Sequence, residues 1–302
     1  MEQMVNENVT QNENVEQVKI QPKKKIWKGI LFSVLALIAA FAVQLLVSIP
    51  MAVILLVQCT AQAGGDANAA MELYIEAAMG SDFMTNSLVA STAAYGIVVL
   101  LWYKLAFVKK YTAEKKAVFK ENVLKGKVIG SLAIAAVGCY CLDLLVATIV
   151  GMISPATMES FNELMGSALS GNEFMAFLAV VILAPIAEEI LFRGIIFRML
   201  SKHWSEVAAI IVSTVLFGLY HGNLMQAIYV LPIGLLLGYT VYKCKSVLPC
   251  ILIHMINNFM PYVVEVLPEA LQVEWFIAII MIVCAAVLYG IWIMPKKAKN
   301  VE

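Results

Sequence analysis

Residues 174–200 read FMAFLAVVILAPIAEEILFRGIIFRML, and this stretch decides the fold. It is long and apolar enough to cross about 30 Å of hydrocarbon, which takes about 20 helical residues. Yet Glu188, Glu189 and Arg193 stand in its second half. Ionisable groups at membrane depth are costly, so they face a bundle interior and mark function. Glu189 and Arg193 are four residues apart, share one helix face and neutralise each other. Glu188 points roughly a third of a turn away, with no partner evident on its own helix. A carboxyl group in apolar surroundings suits a general acid or base.

The rest of the chain agrees with a membrane reading. Of its 302 residues 62% are hydrophobic and 14% charged, with a mean hydropathy of +0.85. A soluble domain is nearer half apolar and a quarter charged. The fold class expected is all-α, a polytopic membrane bundle of about eight transmembrane helices. Besides Phe174 to Leu200, the apolar runs are Ile30 to Val57, Ser87 to Val108, Val128 to Ile153, Trp204 to His221, Leu224 to Tyr242, Val247 to Val264 and Trp275 to Met294. With these runs as spans, all 21 Lys and Arg fall at or between ends on one side, and the loops on the other side hold only acidic charges such as Asp66, Glu72, Glu159 and Glu269. The positive-inside rule then makes both termini cytoplasmic. A cell membrane is the expected location, and a bacterial plasma membrane fits the compact chain and the lack of organellar signals.

Four units are expected: a disordered polar tail over 1–25, three transmembrane helices with amphipathic connectors over 26–172, a core of four transmembrane helices over 173–264, and a last helix with a basic tail over 265–302. The first span is too long for a cleaved signal and is expected to stay as an anchor. Lys109 to Lys127 reads either as a solvated basic loop or as a segment on headgroups. Met158 to Leu169 reads as a short interfacial helix. Cysteines inside spans read as packing residues, and no disulfide framework is expected. No phosphate loop or nucleic-acid motif stands out, so the expected surroundings are a lipid bilayer and a peptide or protein substrate in or at it, with no nucleic acid.

The second and third polar interruptions are Phe217 with His221, and His254 with Asn258. Each pair is four apart and shares a face. The helices before and after Lys202 and His203 must form a hairpin, which puts Glu188 and His221 level to within roughly one helical turn. His254 and Asn258 lie roughly 14 to 20 Å in from the same side. One carboxylate, two imidazoles and a carboxamide suffice for peptide hydrolysis. The carboxylate and one imidazole hold and deprotonate a water, and the other imidazole and the amide donate to the oxyanion. The same set, Glu188, His221 and His254, could instead ligate zinc with an open position for water. The residues alone leave both open, and no H-E-x-x-H is present.

Glu188-Glu189-x-x-x-Arg193, Phe217-x-x-x-His221 and His254-x-x-x-Asn258 resemble the three motifs of the CPBP family. That family groups type II CAAX prenyl endopeptidases with bacterial intramembrane proteases and with bacteriocin-processing or self-immunity proteins. No motif position departs from the pattern. The resemblance implies an intramembrane endopeptidase in which Glu188 and His221 activate water, His254 and Asn258 form the oxyanion hole, and Glu189 with Arg193 supports the site. The family has been described both as metalloproteases and as glutamate-dependent proteases without a required metal, so the resemblance leaves one divalent metal, zinc, and a metal-free mechanism both open.

Plainer roles are weighed beside these. Glu189 with Arg193 reads equally as a structural ion pair, Phe217 as packing, and Asp143 as a structural or access-path polar group. Asn257 leaves the face that His254 and Asn258 share. At the level of the whole protein, the alternatives are a noncatalytic membrane regulator or bacteriocin immunity protein of the same fold, and a transporter that uses its carboxylates as a proton relay. The transporter reading calls for internal repeats, which the sequence does not show.

Overall fold

The structure, a computed structural model, describes residues 26–108 and 126–266. The expected tail over 1–25, the Lys109 to Lys127 connector and the last span, Trp275 to Met294, lie outside or largely outside the described residues. What is described is helical, with no strand among the described residues.

Chain order gives α1 (Ile26–Gln62), α2 (Ala67–Met79), α3 (Ser81–Tyr103), α4 (Gly126–Ile153), α5 (Pro155–Leu169), α6 (Glu173–Ser201), α7 (Glu206–Tyr220), α8 (Leu224–Tyr229), α9 (Leu231–Cys244) and α10 (Leu248–Glu265). Four helices are long and apolar enough to cross a membrane: Trp27–Gln62, Ser81–Phe107, Gly130–Ile153 and Glu173–Ser201. With the shorter apolar helices Glu206–Tyr220 and Leu231–Cys244 they form an all-helical, multi-pass membrane bundle. Ile38, Leu45, Leu46, Val53 and Val57 of α1 face outward, as a lipid-facing helix requires. The core lies instead along α6, where Leu191, Phe192, Ile195 and Ile196 are buried beside Phe217, Leu237 and Ile253 of α7, α9 and α10.

The starts of the short helices are written locally. Asp66 caps α2 by accepting from the Asn68 and Ala69 N–H groups. Asn172, Ser205 and Asn223 do the same for α6, α7 and α8. Each such oxygen satisfies an N–H that the helix leaves without a partner. The structure corrects the sequence reading at one place. The expected continuous span from Leu224 to Tyr242 is broken at Val230 into α8 and α9, and Pro232, which cannot donate, sits in the first turn of α9. The connector after α1 holds the helix α2, whose bounds the sequence reading did not give. Where a short interfacial helix was expected, a helix is present as α5 and starts slightly earlier, at Pro155.

The helix α6 is not uniform. Leu178–Leu183 and Ile190–Ile196 are π-helical, and the α-helical stretch Ala184–Glu189 lies between them. Wide turns of this kind are rare and recur at functional sites. Here they flank the two glutamates on both sides.

Candidate active site

Glu189 and Arg193 are wholly buried and bonded to each other, Arg193 Nη1 donating to Glu189 Oε1 at 3.0 Å. The expected pair therefore exists, and each partner also reaches another helix. Arg193 Nη2 donates to the Gly234 carbonyl of α9 at 3.0 Å. Its guanidinium lies 4.6 Å from the centre of the Phe217 ring. Glu189 Oε1 also meets His254 Nδ1 of α10 at 3.0 Å. Glu189 Oε2 and Arg193 Nε have no hydrogen-bond partner among the described residues.

That contact sets the histidine. A carboxylate held by an arginine accepts, so His254 Nδ1 carries the proton and donates. Nε2 then faces Glu188, whose Oε2 is 3.9 Å away. The Glu188 side chain is 13% exposed, against none for Glu189. Consecutive residues on one helix thus part company: one is sealed into an ion pair, and the other faces an imidazole across 3.9 Å.

His221 ends α7. Its Nδ1 is 2.8 Å from the Phe217 carbonyl, which can only accept, so Nδ1 is the donor and Nε2 is left with a lone pair. Two glycines fix this corner. Gly222 has φ +67°, a conformation that lets the chain reverse directly after His221. A Cβ on Gly218 would lie 2.5 Å from the Ala227 carbonyl, so only glycine lets α8 fold back against α7. The Phe217 ring stands edge-on to both imidazoles, at 4.9 Å from His221 and 5.7 Å from His254. It is packing, as expected, and it also spaces the two rings.

Asn258 Nδ2 donates to the Val180 carbonyl of α6 at 3.0 Å. Val180 lies in the first π-helical stretch, where the backbone ladder is displaced and a carbonyl is open to an outside donor. Asn258 keeps its second N–H and its oxygen for other use. Glu188, Glu189, Arg193 and His254 are therefore in direct contact. His221 joins them through Phe217, and Asn258 stands one helical turn from His254 on the same face.

Three residues near the site escaped the sequence reading. Gln44 of α1 donates to the Tyr220 hydroxyl at 2.6 Å. Tyr95 of α3 is buried, with its ring 6.2 Å from that of Tyr220. The available signals were local: Tyr220 precedes His221, and Tyr95 precedes Gly96, where a Cβ would rest 3.4 Å from Ala187.

A zinc site on Glu188, His221 and His254 needs three donors converging on one point. Among the described residues no three His, Cys, Asp or Glu side chains are gathered in that way. The one remaining nitrogen of His254 faces Glu188. The arrangement as it stands does not fit a metal held by these three residues.

Comparison with known proteins agrees with the motif reading. Residues 170–260 match the model of the family described as Rce1-like, type II CAAX prenyl endopeptidase Rce1-like. Over 184 residues the chain is 27% identical to the UPF0177 protein YbdI of Lactococcus lactis subsp. lactis (strain IL1403), an alignment covering 58% of this chain and 98% of that protein. No solved structure matches the chain.

Proposed function

We propose that this chain, whose residues 170–260 share the pattern of the Rce1-like membrane proteases, is an intramembrane endopeptidase that hydrolyses a peptide bond of a membrane-associated or lipid-modified substrate. The family match supports a CAAX-protease-type membrane endopeptidase in general terms. The observation that carries the finer reading is the facing pair Glu188 and His254, with Glu189 and Arg193 behind the imidazole.

In this reading Glu188 is the general base. A water between Glu188 and His221 Nε2 attacks the carbonyl carbon, and its proton passes to the Glu188 carboxylate. The oxyanion of the tetrahedral intermediate receives hydrogen bonds from His254 Nε2 and from the free N–H of Asn258. Because Nδ1–H of His254 is committed to Glu189, donation from Nε2 requires the doubly protonated ring, and Glu189 is its counter-ion. When the C–N bond breaks, Glu188 returns the proton to the leaving amine. The products are a carboxylic acid and an amine, which exchange the remaining proton to leave a carboxylate and an ammonium group, so atoms and charges balance.

Zinc would supply a polarised carbonyl and an activated water if bound. No step is routed through it, because the three candidate ligands do not converge here. The purified protein is therefore expected to hold no stoichiometric metal and to keep its cleavage activity after chelation. Elemental analysis together with a chelator titration checks this, and loss of activity restored by zinc would move Glu188, His221 and His254 into the role of ligands. The reading as a whole is tested by comparing the peptides produced by cells carrying the native chain with those of cells carrying Glu188→Gln.

A further inference from the structure

We infer that Asp143 is a positioning residue for this site, tying the broken start of α9 to α10, the helix that carries His254. Asp143 lies on α4, is 3% exposed, and neither of its carboxyl oxygens closes a hydrogen bond with a described residue. The groups that face it are the Ile233 backbone N–H and the Asn257 side chain. Asn257 is itself buried, and its amide oxygen is likewise without a partner. The tyrosines Tyr140 and Tyr229 lie close enough to feel its charge.

Each of these neighbours has a reason to need it. The first N–H groups of a helix have no intrahelical partner. For α7 and α8 a side chain just before the helix supplies the acceptor, but α9 begins after Val230 with no side-chain cap. Asp143 stands opposite that uncapped turn, presenting its carboxyl from another helix. The next residue, Gly234, is the one whose carbonyl receives Arg193. On the other side, Asn257 precedes Asn258 and follows His254 by less than one turn. One buried carboxyl group thus lies between the segment that holds Arg193 and the helix that presents His254 and Asn258. A buried polar group without good partners is costly, and a leucine would fill the same space without that cost. The carboxyl is therefore kept for what it holds in place. The position needs a planar group of this length with an acceptor oxygen.

The inference rests on the endopeptidase reading for its kinetic consequence only, so two measurements are made on the full-length protein in nanodiscs. The chain has 3 histidines, so 15N-histidine resonances can be assigned by single replacements of His203, His221 and His254. Asp143→Leu should shift the His254 ring resonances, reporting a loosened bond to Glu189, while His203 stays in place. Asp143→Asn should leave all of them as in the native protein. On a peptide released by the native chain and not by Glu188→Gln, Asp143→Leu should lower kcat by about 10- to 100-fold, the scale of a small misplacement. KM should stay within about twofold, and Asp143→Asn should keep most of the activity. A native His254 spectrum in Asp143→Leu, or equal disturbance by Asn and Leu, overturns the inference. If Asp143→Leu does not fold, Asn257→Leu takes its place, and an undisturbed His254 there overturns it equally. Should no Glu188-dependent peptide be found, the endopeptidase reading fails, and the spectra alone decide the role of Asp143.

Discussion

Glu188→Gln is expected to lower cleavage by on the order of 10²- to 10⁴-fold, the range that a positioned general base contributes. The replacement keeps the shape of the side chain and removes its capacity to take a proton. Glu188 closes no hydrogen bond with another described residue, and its nearest charged neighbour is His254 at 3.9 Å. Nothing in the packing depends on its charge, so the variant should insert and resist unfolding like the native chain. Comparison of the two sets of cellular peptides, followed by cleavage of a synthetic peptide that differs between them, reads the effect. Native rates in the variant would remove the proposed base. Full support of the cell by a variant that cuts nothing would favour the noncatalytic regulator.

Arg193→Leu should instead strike at stability, by about 3–5 kcal/mol, because it strands a buried charge. Both partners of the pair have no exposure at all. The same substitution removes the tie to the Gly234 carbonyl and the cation above the Phe217 ring. Glu189 would be left with His254 alone. The double replacement Glu189→Leu with Arg193→Leu should cost less than Arg193→Leu by itself, since neither charge is then stranded. Its activity should nevertheless stay low, for His254 loses the carboxylate that fixes its Nδ1 proton. Unfolding in detergent, measured for the single and double variants, checks the order. A double variant less stable than the single one would contradict the account of the pair.

Much of this was legible in the chain because membrane sequence is easy to read where it is interrupted. Glu189 and Arg193 announced their bond by spacing alone, and the Lys202–His203 turn brought α6 and α7 side by side. What spacing could not supply was partnership between helices. Nothing in the sequence says that Glu189 serves His254 as well as Arg193, since that depends on the facing of α10 against α6. Asn257 left the shared face as expected, and only the packing of α4 shows that it turns toward Asp143. The π-helical stretches were invisible for another reason: an apolar run has no periodic marker that tells a wide turn from an ordinary one. The break at Val230 was more readable, since Pro232 marks it, but a continuous apolar run from Leu224 outweighed it.

The shortness of α7 and α9 carries a consequence for the lipids around them. With 15 and 14 residues these helices are about 22 and 21 Å long, well under the ~30 Å of a typical hydrocarbon layer. Acyl chains beside that face must shorten or splay to meet them, at a cost of a fraction of a kcal/mol per Å of mismatch. Beside that face the protein is therefore expected to thin the bilayer, which brings polar solvent nearer to His221 at the end of α7 than a full-length span would allow.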